Sequence, residues 1–278
     1  MQQSMSKLPK ITFSQMIGLG RVPPKSPSQG KLQISISSCS FVCNEDGVLA
    51  AQWSDRMMVS FDVEEKCFAK GGFRRAFRAR SLHPDFRDQQ WVLKRYINPE
   101  KDILESGDET IYEHAKKQVQ MHQGAKKIAN EFSKEMPPGF GDCFSYNDIY
   151  LGMGGDEPVF IEDYIPGNFR KHVNNDGTVF PPTTDVGKKA GTFAHYSLVN
   201  FNRRMMVLDV QGVDYTLFDP EIATAELFYG EGDSAEALFC AGNQCQEGID
   251  KFVTSHECNK YCEIAELDPL TKDNETSA

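Results

Sequence analysis

The sequence predicts an α+β protein with two lobes and a cleft between them. Three observations support this prediction: strand-like runs come first, one long helix follows, and the second half mixes strands with at least two helices. This order of elements is typical of α+β architectures, in which strands and helices are segregated. The chain has 278 residues, which is enough for a large core and for one or two domains.

The composition of the chain predicts where its folded domain begins and ends. Residues 1–31 are rich in Pro, Ser and Gly, and we expect them to form a flexible lead-in. The folded domain is expected over 32–268, with a first lobe over about 32–156 and a second over about 166–268. The segment 269–278 ends in TKDNETSA, which has no apolar anchor, so a disordered tail is expected there.

The first lobe is predicted to consist of strands and one long helix. Alternating or clustered β-branched and apolar residues predict strands in LQISISSCSFV (32–42), MMVSFDV (57–63) and QWVLKRYI (90–97). Over 110–133 the apolar residues change to helical spacing, and lysines occupy the opposite face. This change of period predicts a single long helix.

A second strand-rich block follows the long helix. The runs EPVFIEDYIPG and RRMMVLDVQGVDYTLF predict its strands. One helix is predicted over about 185–201, beginning at Thr184 or Asp185, and another from about Glu247 toward the C-terminus. The second half should therefore bring strand ends and helices together.

Charge and cysteine usage narrow the functional classes. The 30 basic and 40 acidic side chains give a net charge of −10, which argues against nucleic acid as the partner. No apolar run approaches the ~18 residues of a membrane helix, and the N-terminus does not resemble a signal peptide. The eight cysteines lack the regular spacing of a secreted disulfide scaffold. These features predict a cytoplasmic protein without a membrane partner.

The run HECNKYC (256–262) is the most specific short motif. On a helix, Cys258 and Cys262 would project their thiolates from one face, with His256 at the mouth of the turn. A structural zinc takes four N or S ligands, and His195 on the preceding helix is the candidate for the fourth. The alternatives are two buried cysteines beside an incidental histidine, or a thiol-redox pair, although redox pairs prefer C-x-x-C spacing.

Phosphoryl transfer needs a cation near the phosphates, carboxylates that hold magnesium and a group that positions the nucleophile. Three features of the sequence could supply these groups. Lys94 lies in the strand-like WVLKRY, Asp209 ends the apolar run MMVLD, and FAKGGFRRAFRA (68–79) contains a glycine turn. Taken singly, the lysine is more simply a solvated strand residue and the aspartate a turn cap. The H-R-D, D-F-G and G-x-x-x-x-G-K-[ST] motifs are absent from the sequence.

Taken together, these segments resemble the α-kinases, the family of the myosin heavy chain kinases, elongation-factor-2 kinase and the kinase domains fused to TRP-type channels. The resemblance runs from about Cys67 to Leu267 in the family's order. FAKGGFRRAFRA resembles the phosphate loop of the family, VLKRY its ATP-lysine strand and FIEDYIPGNFRKHVNNDG the segment between its lobes. VLDVQGVDYTLFDPEI is similar to its catalytic core, and HECNKYC to its zinc helix.

The resemblance implies an atypical protein-kinase-like fold and a nucleotide site. It implies that Lys94 contacts the ATP phosphates and that the backbone beside Glu162 holds the adenine. The remaining nucleotide-site residues that it implies are Gly71, Gly72 and Arg74 in the phosphate loop, and Asn175.

For the reaction, the resemblance implies a Ser/Thr protein kinase. Asp209 would orient or deprotonate the acceptor hydroxyl, and Lys171 would line the site. Gln211 and Asp219 would coordinate Mg²⁺ for ATP. The implied partner is a protein substrate phosphorylated on Thr or Ser, and the sequence predicts no oligomeric state.

For the metal, the resemblance implies one structural zinc in the second lobe. Its ligands would be His195, His256, Cys258 and Cys262. Such a zinc would tie the helix over 185–201 to the C-terminal helix.

Two residues depart from the family pattern. Cys245 stands where the family's G-N-x-G-x-x-G loop has a glycine, and Asp214 replaces the last glycine of its Q-G-V-G run. Neither departure removes a catalytic group, but both bear on substrate preference. The sequence therefore also allows a second possibility, a zinc-stabilised module that binds ATP and transfers phosphate weakly or not at all.

Overall fold

In a computed structural model of the chain, the residues described are 31–43, 49–99, 110–225, 228–229, 236–237 and 244–270. The strands are β1 (Lys31–Ser37), β2 (Cys39–Cys43), β3 (Leu49–Trp53), β4 (Met57–Val63), β5 (Ala69–Lys70), β6 (Arg74–Ser81), β7 (Trp91–Tyr96), β8 (Ser145–Tyr146), β9 (Ile149–Gly154), β10 (Glu157–Asp163), β11 (Arg170–Lys171), β12 (Met205–Leu208), β13 (Gln211–Val213), β14 (Thr216–Leu217), β15 (Glu221–Thr224), β16 (Phe228–Tyr229) and β17 (Glu236–Ala237). The helices are α1 (Ile111–Glu135), α2 (Asp185–Asn200), α3 (Cys245–Ser255) and α4 (Lys260–Ile264), with a 3₁₀ turn at Pro138–Phe140.

The predicted lead-in and tail lie almost wholly outside the described residues. Of the segment 1–31, only Lys31 is described, and it begins β1. Of the segment 269–278, only the first two residues are described. The expectations for these two segments therefore stay predictions.

The first half of the chain forms a sheet that closes on itself. Seven antiparallel strands follow the order β4-β1-β9-β10-β7-β6-β5, and β4 also pairs with β6 from Phe61 to Val63. Six of the strands therefore form a ring, which leaves fewer unpaired edges than an open sheet. The ring is filled by apolar side chains, among them Ile34, Ile36, Val59, Phe61, Trp91, Leu93, Val159 and Ile161. The three predicted strand runs of the first half are confirmed.

Helix α1 connects two separate apolar cores. It begins at the cap Thr110, whose hydroxyl accepts a hydrogen bond from the Glu113 N–H at 3.1 Å. Ala115 and Val119 pack against strands β9 and β10, whereas Phe132 belongs to the core of the second half. The long helix predicted over 110–133 is confirmed, and it extends to Glu135.

Helix α2 lies at the centre of the second half. The hydroxyl of Thr184 caps it by accepting from the Gly187 N–H at 3.2 Å, so the predicted start is confirmed. Most of its residues are buried, and it packs against β12 and α4. A helix that is buried on nearly every face is a core element, which lets it hold side chains in fixed positions.

The predicted C-terminal helix is interrupted, so the prediction that Cys258 and Cys262 share one helical face is wrong. Helix α3 ends at Ser255, and His256 has extended backbone angles of φ −81° and ψ 126°. Asn259 then caps α4 by accepting from the Tyr261 N–H at 2.9 Å. Its amide also donates to the Lys188 carbonyl of α2 at 3.2 Å, so the turn is held from both sides. Cys258 lies in this turn, outside any helix.

Within the part of the chain that the structure describes, no helix combines the length and the apolar character that crossing a membrane requires.

Candidate functional site

Two cations and two carboxylates meet outside the closed sheet, on the side away from its apolar interior. The ammonium of Lys94 lies 2.9 Å from a Glu162 oxygen and 3.2 Å from Oδ1 of Asp219. Arg74 donates to the same Asp219 oxygen at 3.1 Å. Lys94 is only 8% exposed, so it is not a solvated strand lysine. Burial alone would lower the pKa of Lys94, but Asp219 and Glu162 raise it above its usual value.

Strand register explains why these side chains meet. Arg74 lies on β6, Lys94 on β7 and Glu162 on β10, three neighbouring strands of the sheet. Side chains alternate between the faces of a strand, and all three positions fall on the outer face. At the Arg74 end, the turn Gly71–Gly72 joins β5 to β6, and the Gly71 N–H donates to the Arg74 carbonyl at 2.8 Å. The space above Gly72 is open.

Asp209 forms the second half of this site. Lys171 on β11 lies 2.6 Å from its Oδ1, and the Asn175 backbone N–H also donates to its carboxylate. Burial raises the pKa of Asp209 to about 6, although Lys171 opposes the shift. An aspartate with a pKa near neutrality can exchange a proton at physiological pH.

Gln211 joins the two aspartates. Its amide nitrogen donates to Oδ2 of Asp209 at 3.2 Å and to the Asp219 carbonyl at 3.0 Å. With both amide hydrogens directed to these acceptors, the amide oxygen is left for another ligand. The Asp219 side chain is 41% exposed, so a ligand can reach it. Burial opposes ionisation of Asp219, but Lys94 and Arg74 hold its pKa well below the usual range.

These groups form one connected ion-pair network. Its members are Arg74, Lys94, Glu162, Lys171, Asp209, Gln211 and Asp219. Asp209 and Asp219 both have left-handed backbone angles, with φ of 50° and 56°. Non-glycine residues rarely adopt this conformation, and when they do they cluster at functional sites. The structure therefore brings together seven of the residues that the sequence analysis assigned to the nucleotide, the magnesium or the reaction. Of the other three, Asn175 contacts Asp209 through its backbone, and Gly71 and Gly72 lie in the turn before Arg74.

Sequence reasoning missed four polar residues behind this network. Gln118 accepts from Arg74 at 3.3 Å, and the Nε2 atom of His122 lies 3.0 Å from the Asn147 carbonyl. Burial lowers the pKa of His122. Burial and the nearby charge of Asp209 raise the pKa of Glu221 well above its usual value. Burial and Asp209 likewise raise the pKa of Tyr146.

A sequence signal existed for two of these residues. Gln118 and His122 are four positions apart on α1, on the face that also carries the buried Ala115 and Val119. Polar side chains at core positions of a helix need partners: Gln118 has Arg74 of the ion-pair network, and His122 has the Asn147 carbonyl. Glu221 and Tyr146 gave no comparable signal, because they lie in short strands.

A second polar centre lies between α2 and the segment 256–262. We refer to it as the His/Cys cluster, and its members are His195, His256, Cys258 and Cys262. Their ligand atoms all lie within 4.8 Å of one another. The Sγ atom of Cys258 is 3.8 Å from His195 Nδ1 and 3.8 Å from His256 Nε2. The Sγ atom of Cys262 is 3.6 Å from the same His256 nitrogen. All four predicted ligands therefore meet.

The donor set of this cluster fits a zinc ion. Zinc–nitrogen and zinc–sulfur bonds of about 2.0 and 2.3 Å at tetrahedral angles separate the donor atoms by roughly 3.5 Å. The separations of 3.6 and 3.8 Å are close to that value. Burial lowers the pKa of His195 to about 4 and that of His256 to about 4, so both rings are neutral at pH 7. Neutral imidazole is the form that binds a metal.

Neighbouring residues hold the cluster in place. The hydroxyl of Thr192 lies 3.2 Å from the Cys262 sulfur, an outer-shell contact of the kind that orients metal ligands. The ring of His256 stacks on Phe252 with centroids 5.0 Å apart. At Gly191 a Cβ atom would lie 3.4 Å from the His256 ring, so the absence of a side chain lets the turn approach α2.

The two departures from the family pattern share a backbone conformation. Cys245 has φ 51° and Asp214 has φ 50°. Both angles are in the left-handed region that glycine adopts at little cost. A left-handed backbone at these two positions explains why the corresponding loop and strand end of the family pattern have glycine there. The first residues of the predicted GNQCQEG loop, 242–243, lie outside the described residues.

The site contains a buried lysine paired with a glutamate, a glycine turn beside an arginine, and two aspartates bridged by a glutamine. These are groups of the kinds that phosphoryl transfer requires. The Alpha-kinase family model matches residues 69–262, and the chain belongs to this family. The family resemblance found in the sequence is thereby confirmed.

Individual relatives agree with this assignment. The chain is 30% identical over 210 residues to eukaryotic elongation factor 2 kinase of Mus musculus, an overlap of 73% of this chain and 26% of that kinase. It is 28% identical over 240 residues to myosin heavy chain kinase B of Dictyostelium discoideum, which covers 82% of this chain and 28% of that kinase. The chain thus spans less than a third of the length of these relatives.

Solved structures show the same fold. The alpha-kinase domain of myosin-II heavy chain kinase A superimposes with a TM-score of 0.67 at 23% identity, covering 87% of this chain and 99% of that domain. The same domain in complex with AMP gives a TM-score of 0.67 at 22% identity, covering 86% of this chain and 100% of that domain. This likeness concerns the arrangement of the elements and confirms the predicted mixture of strands and helices.

Proposed function

We propose that this chain transfers the γ-phosphate of Mg-ATP to serine or threonine side chains of a protein substrate. The observation that carries the proposal is the ion-pair network, in which Lys94 and Lys171 each hold one of the two aspartates that Gln211 bridges. Membership of a family of protein kinases supports a phosphotransferase activity. The acceptor residue and the metal-bound form of ATP belong to the proposal.

The nucleotide would bind along the outer face of β6, β7 and β10. Lys94 and Arg74 would exchange part of their contact with Asp219 for phosphate oxygens, because guanidinium and ammonium groups bind phosphate well. The open turn at Gly71–Gly72 would lie over the phosphates. The adenine would be held by the backbone next to Glu162, where β10 ends.

Asp209 would be the residue that orients the acceptor hydroxyl and accepts its proton. Its carboxylate is fixed by Lys171 and by the Asn175 backbone, so little reorganisation is needed during the reaction. Its raised pKa favours proton acceptance at neutral pH. Lys171 would also stabilise the negative charge of the transferring phosphoryl group.

Magnesium would be held by the amide oxygen of Gln211 and the carboxylate of Asp219. Oxygen ligands of these two types are the ones that magnesium prefers. Once bound, the ion neutralises phosphate charge. This chain's own contribution is to fix Gln211 through Asp209 and the Asp219 carbonyl, which keeps both ligands in one place.

We further propose two lobes, over about 32–156 and 166–268. Strand β10 (Glu157–Asp163) lies between these bounds and pairs into the closed sheet of the first lobe, and the segment that follows it would join the lobes. The separate apolar cores of the closed sheet and of the second half support this division. A structural zinc in the His/Cys cluster would then tie α2 to the turn before α4. Four protein ligands would close its coordination shell.

The setting of the reaction is also a proposal. We propose a cytoplasmic protein whose partner is a protein substrate and whose function needs neither nucleic acid nor a membrane. The acidic net charge of −10 supports the exclusion of nucleic acid.

One observation favours a second candidate, a zinc-stabilised module that binds ATP without transferring phosphate. Oδ1 of Asp219 already contacts both Lys94 and Arg74, so the network satisfies its own charges in the absence of nucleotide. If Asp219 kept these two ion pairs when ATP binds, it would not be placed to hold magnesium, and ATP would bind without transfer of phosphate. The two candidates differ in turnover, so turnover is the quantity to measure.

The deciding experiment replaces Asp209 by asparagine. Asp209→Asn keeps the shape and tolerates the left-handed backbone, but it removes the proton acceptor. Phosphate transfer to the chain itself and to a peptide library containing Ser and Thr should fall by about 10²–10⁴, while ATP affinity measured by calorimetry changes little. Asp214→Asn is the matched control, because Asp214 has the same chemistry and nearly the same φ but is exposed.

The outcomes separate the candidates. Wild-type protein that binds Mg-ATP and phosphorylates no substrate in the library supports the binding module. Transfer that is equally fast in wild type and Asp209→Asn rejects Asp209 as the acceptor of the proton. Transfer on tyrosine alone contradicts the proposed acceptor class.

A further inference from the structure

One short turn of the chain holds the carboxylate of Asp209 in place. The Asn175 backbone N–H donates to this carboxylate. Lys171, which lies 2.6 Å from Oδ1 of Asp209, also donates to the side-chain oxygen of Asn174 at 2.9 Å. Asn174 and Asn175 belong to the segment 174–178, which we call the Asn turn. The position of Asp209 therefore depends on the position of the Asn turn.

Asp176 gives the Asn turn its shape. Its Oδ1 atom accepts from the Thr178 N–H at 2.9 Å. The Gly177 N–H donates to the Asn174 carbonyl at 3.1 Å, and the Asn174 N–H donates to the Thr178 carbonyl at 2.8 Å. Gly177 completes the reversal of the chain with a φ of 84°. An aspartate that accepts from the backbone two residues later restricts such a turn to one conformation.

Helix α3 packs directly against the Asn turn. The ammonium of Lys251 lies 2.5 Å from Oδ2 of Asp176, and the Ser255 hydroxyl donates to the Gly177 carbonyl at 3.0 Å. A Cβ atom on Gly177 would lie 2.0 Å from the Gly248 carbonyl oxygen, so the turn and the helix approach as closely as a glycine permits. The Asn turn thus contacts α3 on one side and the proposed catalytic carboxylate on the other.

The ion pair between Lys251 and Asp176 is half exposed. The two side chains are 49% and 35% exposed, and ion pairs in contact with solvent contribute little to the stability of a fold. Its geometric effect is more direct, because Asp176 also binds the Thr178 N–H and is adjacent to Asn175 in the chain. The ion pair is therefore expected to affect the placement of Asp209 more than the stability of the protein.

We propose that Asp176 and Lys251 are positioning residues, which couple the placement of α3 to the orientation of the Asp209 carboxylate through the Asn turn. This inference rests on the proposed function, because it takes Asp209 as the group that orients the acceptor hydroxyl. It adds a role in turnover for α3, the helix that begins at the departure Cys245.

The test measures kcat and the KM for Mg-ATP in Asp176→Ala, with the Ser/Thr peptide library as acceptor. This substitution removes both the bond that shapes the turn and the ion pair. Misplacement of a reacting group by about 1 Å can cost about 10²-fold, so kcat should fall by about 10–10²-fold. The KM should stay unchanged, because the proposed phosphate ligands Lys94 and Arg74 belong to the closed sheet. A wild-type stoichiometry of ATP in calorimetry shows that the lower kcat is not a loss of folded protein.

Two milder substitutions test the contact with α3. Asp176→Asn keeps an oxygen that can accept from the Thr178 N–H, and both it and Lys251→Met break the ion pair. Each should lower kcat by about threefold, the size expected of one exposed ion pair. The double variant should also lose about threefold rather than about ninefold, because both substitutions remove the same contact. Lys251→Arg keeps an ion pair and should keep the wild-type kcat.

Lys260→Met is the matched control. It breaks the 3.2 Å ion pair with Asp185, which joins α4 to α2 and is similarly exposed, but which lies outside the Asn turn. Its kcat should equal that of wild type. The variants of Lys251 keep the inference testable if Asp176→Ala does not fold.

The outcomes separate this inference from the proposed function. Wild-type protein that transfers no phosphate rejects the proposed function, and that result appears before any substitution. With an active wild type, an unchanged kcat in Asp176→Ala or in Lys251→Met overturns the inference. Losses that multiply in the double variant do so as well, because the two residues would then act separately. An equal loss in Lys260→Met would reduce the effect to a general loss of stability.

Discussion

The ion-pair network and the His/Cys cluster contain different kinds of side chain. The network consists of charged groups from distant parts of the chain, with left-handed backbone at Asp209 and Asp219 and shifted pKa values. The cluster consists of neutral rings and thiols, three of them within seven residues of sequence. Strain and charge are concentrated in the first centre, whereas the second joins well-packed elements. This contrast suggests that the first centre serves turnover and the second serves stability.

The largest expected effect concerns the cluster. His195→Ala should remove the metal and lower the free energy of unfolding by up to about 10 kcal/mol, enough to prevent folding, because metal binding at such sites contributes directly to folding. Metal content by mass spectrometry and thermal unfolding check this expectation. Cys67→Ser is the control, since Cys67 lies outside the cluster. A metal-free variant that melts like wild type would contradict the structural role.

A smaller loss of stability is expected when a residue of the ion-pair network is replaced. This substitution tests whether stability and ATP binding depend on the same contacts. Lys94→Met leaves Glu162, whose side chain is 4% exposed, without its cation. An uncompensated buried charge costs about 3–5 kcal/mol. Adding Glu162→Gln should restore much of the stability but none of the ATP affinity. Urea unfolding and ATP titration of the single and double variants measure the two quantities. Recovery of ATP binding in the double variant would show that Lys94 acts only by neutralising Glu162.

The pH dependence of the network provides a third comparison. Burial raises the pKa of Asp209 to about 6, and only its charged form accepts a proton. As pH falls below 6, kcat/KM should therefore drop about tenfold per pH unit. The contribution to stability has the opposite sign: it is present below the ordinary carboxyl pKa and is lost as pH rises through about 6. A rate profile over about pH 5 to 8 checks the first statement. Asp214→Asn should leave the inflection in place.

The smallest effect concerns the departure at Cys245. Replacing a left-handed, non-glycine residue by glycine should stabilise the protein by about 0.5–1 kcal/mol, since part of the gain is offset by the greater freedom of glycine in the unfolded chain. Cys245→Ala removes the thiol and keeps the strain, so it serves as the control. Equal melting temperatures for the glycine and alanine variants would mean that the backbone at 245 is not strained.

Regular elements were predictable from the sequence for physical reasons. Helices α1 and α2 combine helical spacing with threonine caps at 110 and 184, and both signals are local. The turn over 256–259 was not predicted. Asn259 begins α4 as its cap, which is a local signal, but the bond from its amide to the Lys188 carbonyl of α2 exists only in the folded chain. Closure of the sheet likewise depends on the pairing of β4 with β6, which are adjacent in space but separated by β5 in the chain.

The residues of the candidate site likewise fall into two groups, those that the sequence predicts and those that only the structure reveals. Lys94, Asp209 and the metal ligands belong to motifs whose residue types and spacing are specific. Burial and the charge of Asp209 raise the pKa values of Glu221 and Tyr146, and those effects exist only once the chain is folded. Motifs therefore predict the groups that we propose to touch a ligand, whereas the buried polar groups around them are found from the structure.

Helix α1 has a consequence for the order in which the chain folds during synthesis. Its N-terminal part packs on β9 and β10, while Phe132 packs against Phe193 of α2, which leaves the ribosome some sixty residues later than Phe132. Until then the C-terminal turns of α1 expose an apolar face without its partner. The nascent chain thus passes through a stage in which one end of this helix is docked and the other is open to chaperones or to misassembly.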